Sequence, residues 1–369
     1  MAERSYFDWN ATAPLREAAR SAVVDALAMT GNASSVHAEG RAARALVEKA
    51  RLQVAALVDA EAKNLTFTSG ATEANLLALT PRLDVGGRKE PRDRLFVSAV
   101  EHPSVRGGGR FAAGAVEELP VDRDGRVDLT QLDRCLLRSE RPLVSVMLAN
   151  NETGVVQPIR AIADIVHAAD GVLHVDAVQG AGRIDCDIGA LGADLLTISS
   201  HKLGGPQGAG ALIRRSDIHI AEPLITGGGQ ERGQRAGTEN AAAISGFGAA
   251  CAEAQANRQA DAVRMAGLRD RVEAGIKALT PSAVIFGTGA DRLPNTTLVG
   301  IPGFKAETVI IAFDLNGIAL SSGAACSSGK VTASHVLTAM GVEPARARGA
   351  LRTKLIDCSP YYSNYYSTA

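Results

Sequence analysis

Short apolar runs alternate with longer amphipathic stretches through the first two thirds of the chain. Each run is rich in Val, Leu, Ile or Phe and ends at small or polar residues, as buried strands do. The predicted strands cover 64–68, 94–100, 142–148, 171–175, 195–199 and 208–213. The predicted helices between them cover 35–60, 72–79 and 159–169. This alternation predicts an α/β fold with a mostly parallel sheet and helices on both of its faces.

The pattern changes in the last third of the chain. An Ala-rich segment at 241–279 predicts long helices, and a second, smaller α+β layer follows it. The further elements of that layer are predicted strands at 283–286 and 296–300 and predicted helices at 306–315 and 333–340. We therefore expect a large domain at 15–255 and a small domain formed by 1–14 and 256–369.

The amino-acid composition argues against several classes of protein. Of 369 residues, 46% are hydrophobic and 21% are charged, which is enough apolar material for a packed core and excludes a mainly disordered chain. The 39 Lys and Arg nearly balance the 40 Asp and Glu, so direct binding of nucleic acid is not expected. The apolar stretches are too short to span a bilayer, and the chain begins without the apolar segment of a signal peptide.

The five cysteines are an odd number without paired CxxC spacing, which disfavours a disulfide framework and a metal site. This pattern is typical of a protein in the reducing cytoplasm. Cys326 lies in a loop of small residues, Leu320-Ser-Ser-Gly-Ala-Ala-Cys-Ser-Ser-Gly, whereas unreactive cysteines are normally buried. The functional hypothesis is a mobile thiol nucleophile, and the alternative is an incidental exposed cysteine.

Lys202 follows a predicted strand and precedes a Gly-rich turn, in Ser199-Ser-His-Lys-Leu-Gly-Gly. A lysine held at such a place is drawn out of water, which favours the neutral amine. Lysines of this kind form Schiff bases with carbonyl cofactors. An ordinary surface lysine at a strand end remains the alternative for this segment alone.

Asp176 ends the predicted strand of Leu173-His-Val-Asp, at the edge where open α/β sheets bind ligands. A buried carboxylate there needs a cationic partner, and a protonated pyridine nitrogen would supply one. The alternative is an aspartate that caps the next helix.

Two further segments carry weaker signals. Thr68-Ser-Gly-Ala-Thr-Glu reads as strand, turn and helix, so the first helical N–H groups and the Thr72 hydroxyl could hold a phosphate. His102 also follows a strand, where an imidazole can stack on a ring or transfer protons, although a single histidine is more often structural.

Taken together and in this order, these segments resemble the cysteine desulfurases, which are pyridoxal-phosphate enzymes of the aminotransferase class V family. The likeness covers about residues 5–352, and the loop around Cys326 is similar to that of the subgroup that serves iron–sulfur assembly. The matching motifs are Tyr6-Phe-Asp-Trp-Asn-Ala-Thr-Ala-Pro, Gly31-Asn-Ala-Ser-Ser-Val-His, Ser69-Gly-Ala-Thr-Glu-Ala-Asn, Glu101-His-Pro, Asn150-Asn-Glu-Thr-Gly, His174-Val-Asp-Ala-Val-Gln, Ser199-Ser-His-Lys, Arg235-Ala-Gly-Thr-Glu-Asn and Ser321-Ser-Gly-Ala-Ala-Cys.

The resemblance implies an aminotransferase-type (fold type I) large domain and pyridoxal 5'-phosphate as the cofactor. It implies that Lys202 binds the cofactor covalently and then moves the proton at the substrate Cα. It also implies that Asp176 pairs with the pyridine nitrogen, that Gln179 hydrogen-bonds the ring hydroxyl, and that His102 stacks on the ring and is placed to move the substrate thiol proton. The implied phosphate ligands are Ala71, Thr72, Ser199 and His201.

The same resemblance implies how substrate and partners are bound. Asn151 and Arg352 would hold the carboxylate of L-cysteine, Arg352 through a bidentate fork. Cys326 would attack the substrate sulfur and give alanine and an enzyme persulfide, which passes to a sulfur-acceptor protein. Thr238 would reach a phosphate in the partner subunit, which implies a homodimer.

After Arg352 the sequence departs from the family pattern, and four of its five tyrosines lie in the last nine residues. We expect a small domain that lacks its last helix and a tail that contributes little to the core. Two other functions stay open: a class V lyase or transaminase for another amino acid, such as selenocysteine, and a catalytically impaired scaffold. A mobile thiol argues against a transaminase, and the retained Lys202 and Asp176 argue against a scaffold.

Overall fold

The computed structural model describes residues 4–323 and 334–354. Its strands are β1 Ser5–Tyr6, β2 Leu65–Thr68, β3 Leu83–Val85, β4 Arg94–Ser98, β5 Val116–Leu119, β6 Pro142–Met147, β7 Val172–Asp176, β8 Leu195–Ser199, β9 Gly210–Arg214, β10 Ile218–Ile220, β11 Val284–Ile285, β12 Thr296–Gly300, β13 Ile318–Ala319, β14 Ser321–Ser322 and β15 Ala350–Lys354. Its α-helices are α1 Glu17–Leu27, α2 Ala38–Leu57, α3 Ala71–Ala78, α4 Pro103–Arg106, α5 Leu129–Leu136, α6 Ile159–Ala168, α7 Ile188–Leu191, α8 Ala241–Leu279, α9 Ala306–Leu315, α10 His335–Ala339 and α11 Pro344–Ala347. Short 3-10 helices lie at Ala62–Asn64, Ala113–Ala115, Ser200–Lys202 and Gln230–Gly233.

A seven-stranded sheet forms the centre of the molecule, in the order β2-β9-β8-β7-β6-β4-β5. The strands from β8 to β5 are parallel, whereas β9 is antiparallel to both of its neighbours. Every residue of β6, β7 and β8 is buried, as expected for strands covered on both faces. The predicted α/β class with a mostly parallel sheet is confirmed. The carboxyl ends of the parallel strands share one edge, where side chains from several strands can meet.

A smaller antiparallel sheet, in the order β11-β12-β15-β14, forms the second layer. Its core includes Leu298, Val336 and Leu337, and these pack in one cluster with Met147 from the end of β6. The small sheet therefore lies against the carboxyl edge of the large one. The predicted strand at 296–300 and the predicted helix at 306–315 are confirmed.

The segment at 241–279 forms one continuous helix of 39 residues, α8, and not several helices. Its first half buries Ile244, Phe247 and Cys251 on one face, at spacings of three and four residues, where it packs on α1 and α2. The predicted boundary at residue 255 falls inside this helix. The division into a large domain at 15–255 and a small domain formed by 1–14 and 256–369 stays a prediction.

Several strands were not predicted from the sequence because they are short or polar. Strand β5 carries Glu117 and Glu118 at the edge of the large sheet, so its composition is not that of a buried strand. Strands β1 and β13 have two residues each and pair with each other. Within the described ranges, no helix has the length and apolar character needed to cross a membrane.

Gly210 begins β9 where this strand passes the N-terminus of α3. A Cβ atom at 210 would lie 2.6 Å from the carbonyl carbon of Gly70 and 2.9 Å from the amide nitrogen of Ala71. Both contacts are with backbone, so a side chain must push β9 and α3 apart. We expect Gly210→Ala to lower the free energy of unfolding by about 1–3 kcal/mol, measured by urea denaturation.

Gly267 in α8 provides the matched control, because a Cβ atom there meets open space. We expect Gly267→Ala to leave stability unchanged or to raise it by up to about 1 kcal/mol. Equal losses from both substitutions would show that the close approach of β9 and α3 is unimportant.

Candidate active site

A cavity of about 440 Å³ opens at the carboxyl edge of the large sheet. Loops after β4, β6, β7 and β8 and the first turn of α3 all reach it. The predicted site residues that line it are Ala71, Thr72, His102, Asn151, Asp176, Gln179, Ser199, His201 and Lys202. Residues far apart in the chain thus meet because parallel strands end at the same edge.

Asp176 is the last residue of β7 and is 5% exposed. Its Oδ2 accepts a hydrogen bond from Nδ2 of Asn75 at 2.9 Å, and its Oδ1 accepts one from the N–H of Val178 at 3.0 Å. Both oxygens are held by neutral donors. Neither of these two hydrogen bonds therefore pairs the carboxyl group with a cation.

Lys202 lies in the 3-10 turn after β8. Its Nζ donates to the backbone carbonyl oxygens of Asn10 and Ala11, at 2.5 and 2.7 Å. The backbone of the same residue is held by Arg183, whose Nη2 donates to the Lys202 carbonyl at 2.8 Å. The N-terminal segment thus provides two backbone acceptors that hold the lysine side chain at the cavity wall.

The opposite part of the cavity is rich in hydrogen-bond donors. The helical ladder of α3 begins with the N–H of Ala74 donating to the carbonyl of Gly70, so the N–H groups of Ala71 and Thr72 precede it. The Thr72 and Ser199 hydroxyl groups and the His201 imidazole line the same cavity. Burial, with the nearby Lys202 charge, lowers the pKa of His201 to about 4, so its ring is neutral.

Glu73 brings a negative charge to this donor-rich part, but its carboxylate is already engaged. Its oxygens accept hydrogen bonds from the N–H of Ser69 at 2.9 Å and from Nε of Arg235 at 3.0 Å. Burial raises its pKa, but the hydrogen bonds from Arg235 and Ser69 outweigh burial and lower the pKa overall. Arg235 thus ties the loop that carries Thr238 to the first turn of α3.

His102 caps the N-terminus of α4 with its imidazole. Its Nδ1 accepts the N–H of Ser104 at 3.2 Å and lies 2.8 Å from the Ser104 hydroxyl oxygen. Burial lowers the pKa of His102; the Asp176 charge opposes this shift and the Lys202 charge adds to it. The ring therefore tends to be neutral in this site.

Two predicted residues lie outside the cavity lining. Arg352 is buried on β15, where it donates to Asp8 at 2.8 Å and to the backbone carbonyl of Asn151 at 3.2 Å. Arg352 thus reaches the cavity wall only through the Asn151 backbone. Thr238 is exposed on the loop that precedes α8. The predicted roles of both residues stay predictions.

Cys326 lies outside the described residues, and so does the predicted tail after 354. The two described residues that flank the segment 324–333 both lie against one buried carboxyl group, that of Glu152. Ser334 donates its hydroxyl to Oε2 of Glu152 at 2.5 Å, and a Cβ atom at Gly323 would lie 2.6 Å from the same oxygen. Burial raises the pKa of Glu152 to about 7, although Ser334 and Arg352 oppose the shift.

Glu101 is a second buried carboxyl group, directly before His102. Its Oε1 accepts from the Ser98 hydroxyl at 2.7 Å and the Met147 N–H at 2.6 Å, and its Oε2 has no partner in the described chain. Burial raises the pKa of Glu101 from its ordinary value of 4.5 to about 8. The protonated form is thus favoured by folding, so its stabilisation is full below about pH 4.5 and is lost as the pH rises through about 8.

We expect the stability of the wild type, relative to Glu101→Gln, to fall by about 1–3 kcal/mol between pH 6 and 9. The amide cannot ionise, so the variant lacks this contribution. Urea denaturation at both pH values, with the variant Glu17→Gln on exposed α1 as control, measures the difference. Parallel pH dependence of the wild type and Glu101→Gln would contradict the buried, protonated carboxyl.

The set of donors and acceptors fits pyridoxal phosphate. Backbone N–H groups and hydroxyls at the N-terminus of α3 suit a phosphate dianion. The Asp176 carboxylate suits a protonated pyridine nitrogen, and the Lys202 amine suits an aldehyde. All of these groups line one cavity.

Sequence reasoning missed four residues that hold this arrangement: Asn10, Asn75, Ser104 and Arg183. Arg183 is buried and donates to Oε1 of Gln179 at 2.9 Å. Asn10 accepts from Nε2 of Gln179 through its carbonyl at 3.1 Å. A polar side chain inside the apolar stretch Ala74-Asn-Leu-Leu was a signal for Asn75, whereas nothing in the pattern distinguished Arg183 from a surface arginine.

Comparisons with known proteins show the family to which the chain belongs. The chain matches the family model described as Aminotransferase class-V over residues 5–353. A cysteine desulfurase from Cereibacter sphaeroides is 42% identical over 359 residues, which cover 96% of this chain and 91% of that protein. A cysteine desulfurase named IscS from Archaeoglobus fulgidus is 39% identical and covers 94% and 90% of the two chains. The X-ray structure of a NifS-like protein from Rickettsia africae superposes with a TM-score of 0.86 at 37% identity and covers 96% and 94%.

Proposed function

Because the chain belongs to the aminotransferase class-V family, we propose that it is a pyridoxal-phosphate-dependent cysteine desulfurase. It converts L-cysteine to L-alanine and carries the released sulfur as a persulfide on Cys326. The observation that carries this proposal is the single cavity that holds the Lys202 amine, the Asp176 carboxylate and the N-terminus of α3. Relatives with the names IscS and NifS support the choice of L-cysteine as substrate.

The proposed cofactor-binding residues are grouped by the part of pyridoxal phosphate that each would bind. Lys202 would bind the aldehyde carbon, Asp176 would pair with the ring nitrogen, and Gln179 would hydrogen-bond the ring hydroxyl. His102 would stack on the ring. The phosphate would be held by Ala71, Thr72, Ser199 and His201, with Thr238 contributed by the second subunit of a homodimer. Pyridoxal phosphate supplies an aldehyde that captures the substrate amine and a ring that withdraws electrons from its Cα.

Lys202 also moves a proton. When its Nζ is not bound to the cofactor, Lys202 would be the base that takes the proton from the substrate Cα. The carbonyl oxygens of Asn10 and Ala11 hold Nζ while it is charged. These acceptors keep the ammonium group at the cavity wall between proton transfers.

Arg352 and Asn151 hold the substrate carboxylate. Arg352 is paired with Asp8 at 2.8 Å in the described structure, so the substrate carboxylate shares or replaces an existing carboxylate partner. A guanidinium fork accommodates this exchange because it offers several donors in one plane. Binding therefore exchanges one ion pair for another and leaves no charge buried alone.

Sulfur transfer uses the Cys326 thiolate. It attacks the substrate sulfur, and an S–S bond forms while the Cβ–S bond of the substrate breaks. The electron pair of the broken bond and one proton end on Cβ, which becomes the methyl group of alanine. No external oxidant is needed, because the two electrons lost by sulfur when the S–S bond forms are the pair that Cβ takes from the broken Cβ–S bond.

We propose that the persulfide sulfur passes to an acceptor protein in iron–sulfur cluster assembly or thio-modification. We also propose that the protein is a homodimer and that it acts in the cytoplasm. The names of the relatives support cluster assembly. The exposed position of Thr238 leaves it available to a second subunit. Cys135, Cys186 and Cys251 are free thiols, which supports a reducing compartment.

Product analysis with two substrates tests the proposal. Purified protein reconstituted with pyridoxal phosphate is incubated with L-cysteine and a thiol reductant, and alanine and sulfide are measured. We expect equal amounts of both. Turnover of L-selenocysteine with none of L-cysteine would favour the selenocysteine lyase, and turnover of neither would favour the impaired scaffold.

A further inference from the structure

A chain of hydrogen bonds links the two groups assigned to the cofactor ring, Asp176 and His102. Asn75 on α3 donates from Nδ2 to Oδ2 of Asp176 at 2.9 Å and to the hydroxyl oxygen of Ser104 at 3.0 Å. That hydroxyl lies 2.8 Å from Nδ1 of His102. We propose that Asn75 is a positioning residue that, through Ser104, fixes the proton of His102 on Nε2. This inference rests on the proposed function, because it defines what His102 can do in that reaction.

The orientation of the Asn75 amide is set by its neighbours. Asn75 is 0% exposed, so no solvent competes for its hydrogen bonds. A reversed amide would place Oδ1 against the Asp176 carboxylate, and two acceptors would repel each other. Both amide hydrogens therefore point to Asp176 and Ser104. Oδ1 is left without a partner in the described chain, which is an uncommon condition for a buried acceptor.

Two groups of Ser104 act together on Nδ1 of His102, the hydroxyl at 2.8 Å and the backbone N–H at 3.2 Å. The N–H group can only donate, which favours a lone pair on Nδ1. The Ser104 hydroxyl accepts from Asn75, and its own hydrogen is then free to be donated to Nδ1 as well. The bonds run in one direction, from Asn75 through Ser104 to His102.

The other tautomer satisfies fewer groups. A proton on Nδ1 would face the N–H of Ser104, so two donors would meet. The Ser104 hydroxyl would then accept two hydrogen bonds, and its own hydrogen would have no acceptor within the described chain. The neutral ring therefore carries its proton on Nε2.

This state limits the chemistry of His102. With Nδ1 occupied by Ser104 and Nε2 already protonated, the neutral ring can donate a hydrogen bond but has no free lone pair for a substrate proton. The implied role of His102 in removing the substrate thiol proton is then replaced by stacking and hydrogen-bond donation. Another group accepts the thiol proton.

Nuclear magnetic resonance of the holoenzyme reads the tautomer directly. The protein is labelled with ¹⁵N-histidine, and His102 is assigned from the signals lost in His102→Gln. We expect Nδ1 to resonate as an unprotonated nitrogen and Nε2 as a protonated one at neutral pH. A proton on Nδ1, or an equal mixture of tautomers, would overturn the proposal.

Variants of the two linking residues test positioning. Asn75→Leu keeps the side-chain volume but removes both donors, and Ser104→Ala removes the hydroxyl. We expect each to raise the fraction of the other tautomer and to lower kcat about 10-fold with KM for L-cysteine little changed. Ser104→Thr keeps a hydroxyl and should restore both values.

The controls separate this proposal from the proposed function. Asn316→Leu, on an exposed asparagine after α9, should match the wild type in tautomer and kcat. Should Asn75→Leu fail to fold, the Ser104 pair carries the same test. If Asn75→Leu and Ser104→Ala both kept the wild-type tautomer and kcat, the proposed positioning of His102 by Asn75 and Ser104 would be refuted. Absence of alanine production in the wild type would refute the desulfurase and leave the tautomer measurement valid.

Discussion

Lys202→Ala should lose turnover of L-cysteine by at least about 10³-fold. In the proposed function, this substitution removes both the amine that would bind the cofactor covalently and the base that would take the Cα proton. The phosphate ligands at the N-terminus of α3 are unaffected, so pyridoxal phosphate should still bind without a covalent bond. Borohydride reduction followed by mass spectrometry should then add the mass of the cofactor to the wild type and not to the variant.

The control is Lys63→Ala, which removes an exposed lysine paired with Glu61 on the surface. It should keep wild-type activity and reducible cofactor. Two results would contradict the assignment of Lys202: a reducible adduct in Lys202→Ala, or the absence of a reducible adduct in the wild type. The second result would also remove pyridoxal phosphate as the cofactor.

The fold was predictable where hydrophobic burial is continuous along the chain. Strands β6, β7 and β8 are buried over their whole length, and their apolar runs identified them. Pairing partners were not predictable in detail: β9 lies between β2 and β8 and is antiparallel to both, although its sequence reads like a parallel strand. Direction depends on where the chain enters the sheet, which no local pattern records.

The candidate site, like the fold, was predictable from the sequence only in part. Asp176 and Lys202 were found because a charged residue at the end of a buried strand conflicts with the pattern around it. Asn75 and Ser104 were not, because they act through other side chains and lie 29 residues apart in the chain. Asn75 and Ser104 come into contact only when α3 and α4 pack side by side in the folded protein. The same holds for Glu152, which meets Gly323 and Ser334 through folding alone.

Cys326→Ala should lower alanine and sulfide production at least roughly 10³-fold. In the proposed function the Cys326 thiolate is the attacking group, and an alanine side chain at 326 has no atom that can accept the substrate sulfur. The residues proposed to bind the cofactor, Lys202 and Asp176, are unchanged, so the visible absorption of the bound cofactor, and its change on addition of L-cysteine, should be retained. Single-turnover assays that follow both the spectrum and alanine would separate the two effects.

The other four cysteines are the controls, because each provides a thiol without the loop of small residues. Burial raises the pKa of Cys186 to about 12 and that of Cys251 beyond the usual range, so these thiols do not form thiolates near neutral pH. Cys135→Ala and Cys358→Ala should keep near-normal activity, and Cys358 is the sharper control because it follows Arg352 by a few residues. Near-normal alanine production by Cys326→Ala would show that Cys326 is not the nucleophile, and the lyase would then replace the desulfurase as the proposed function.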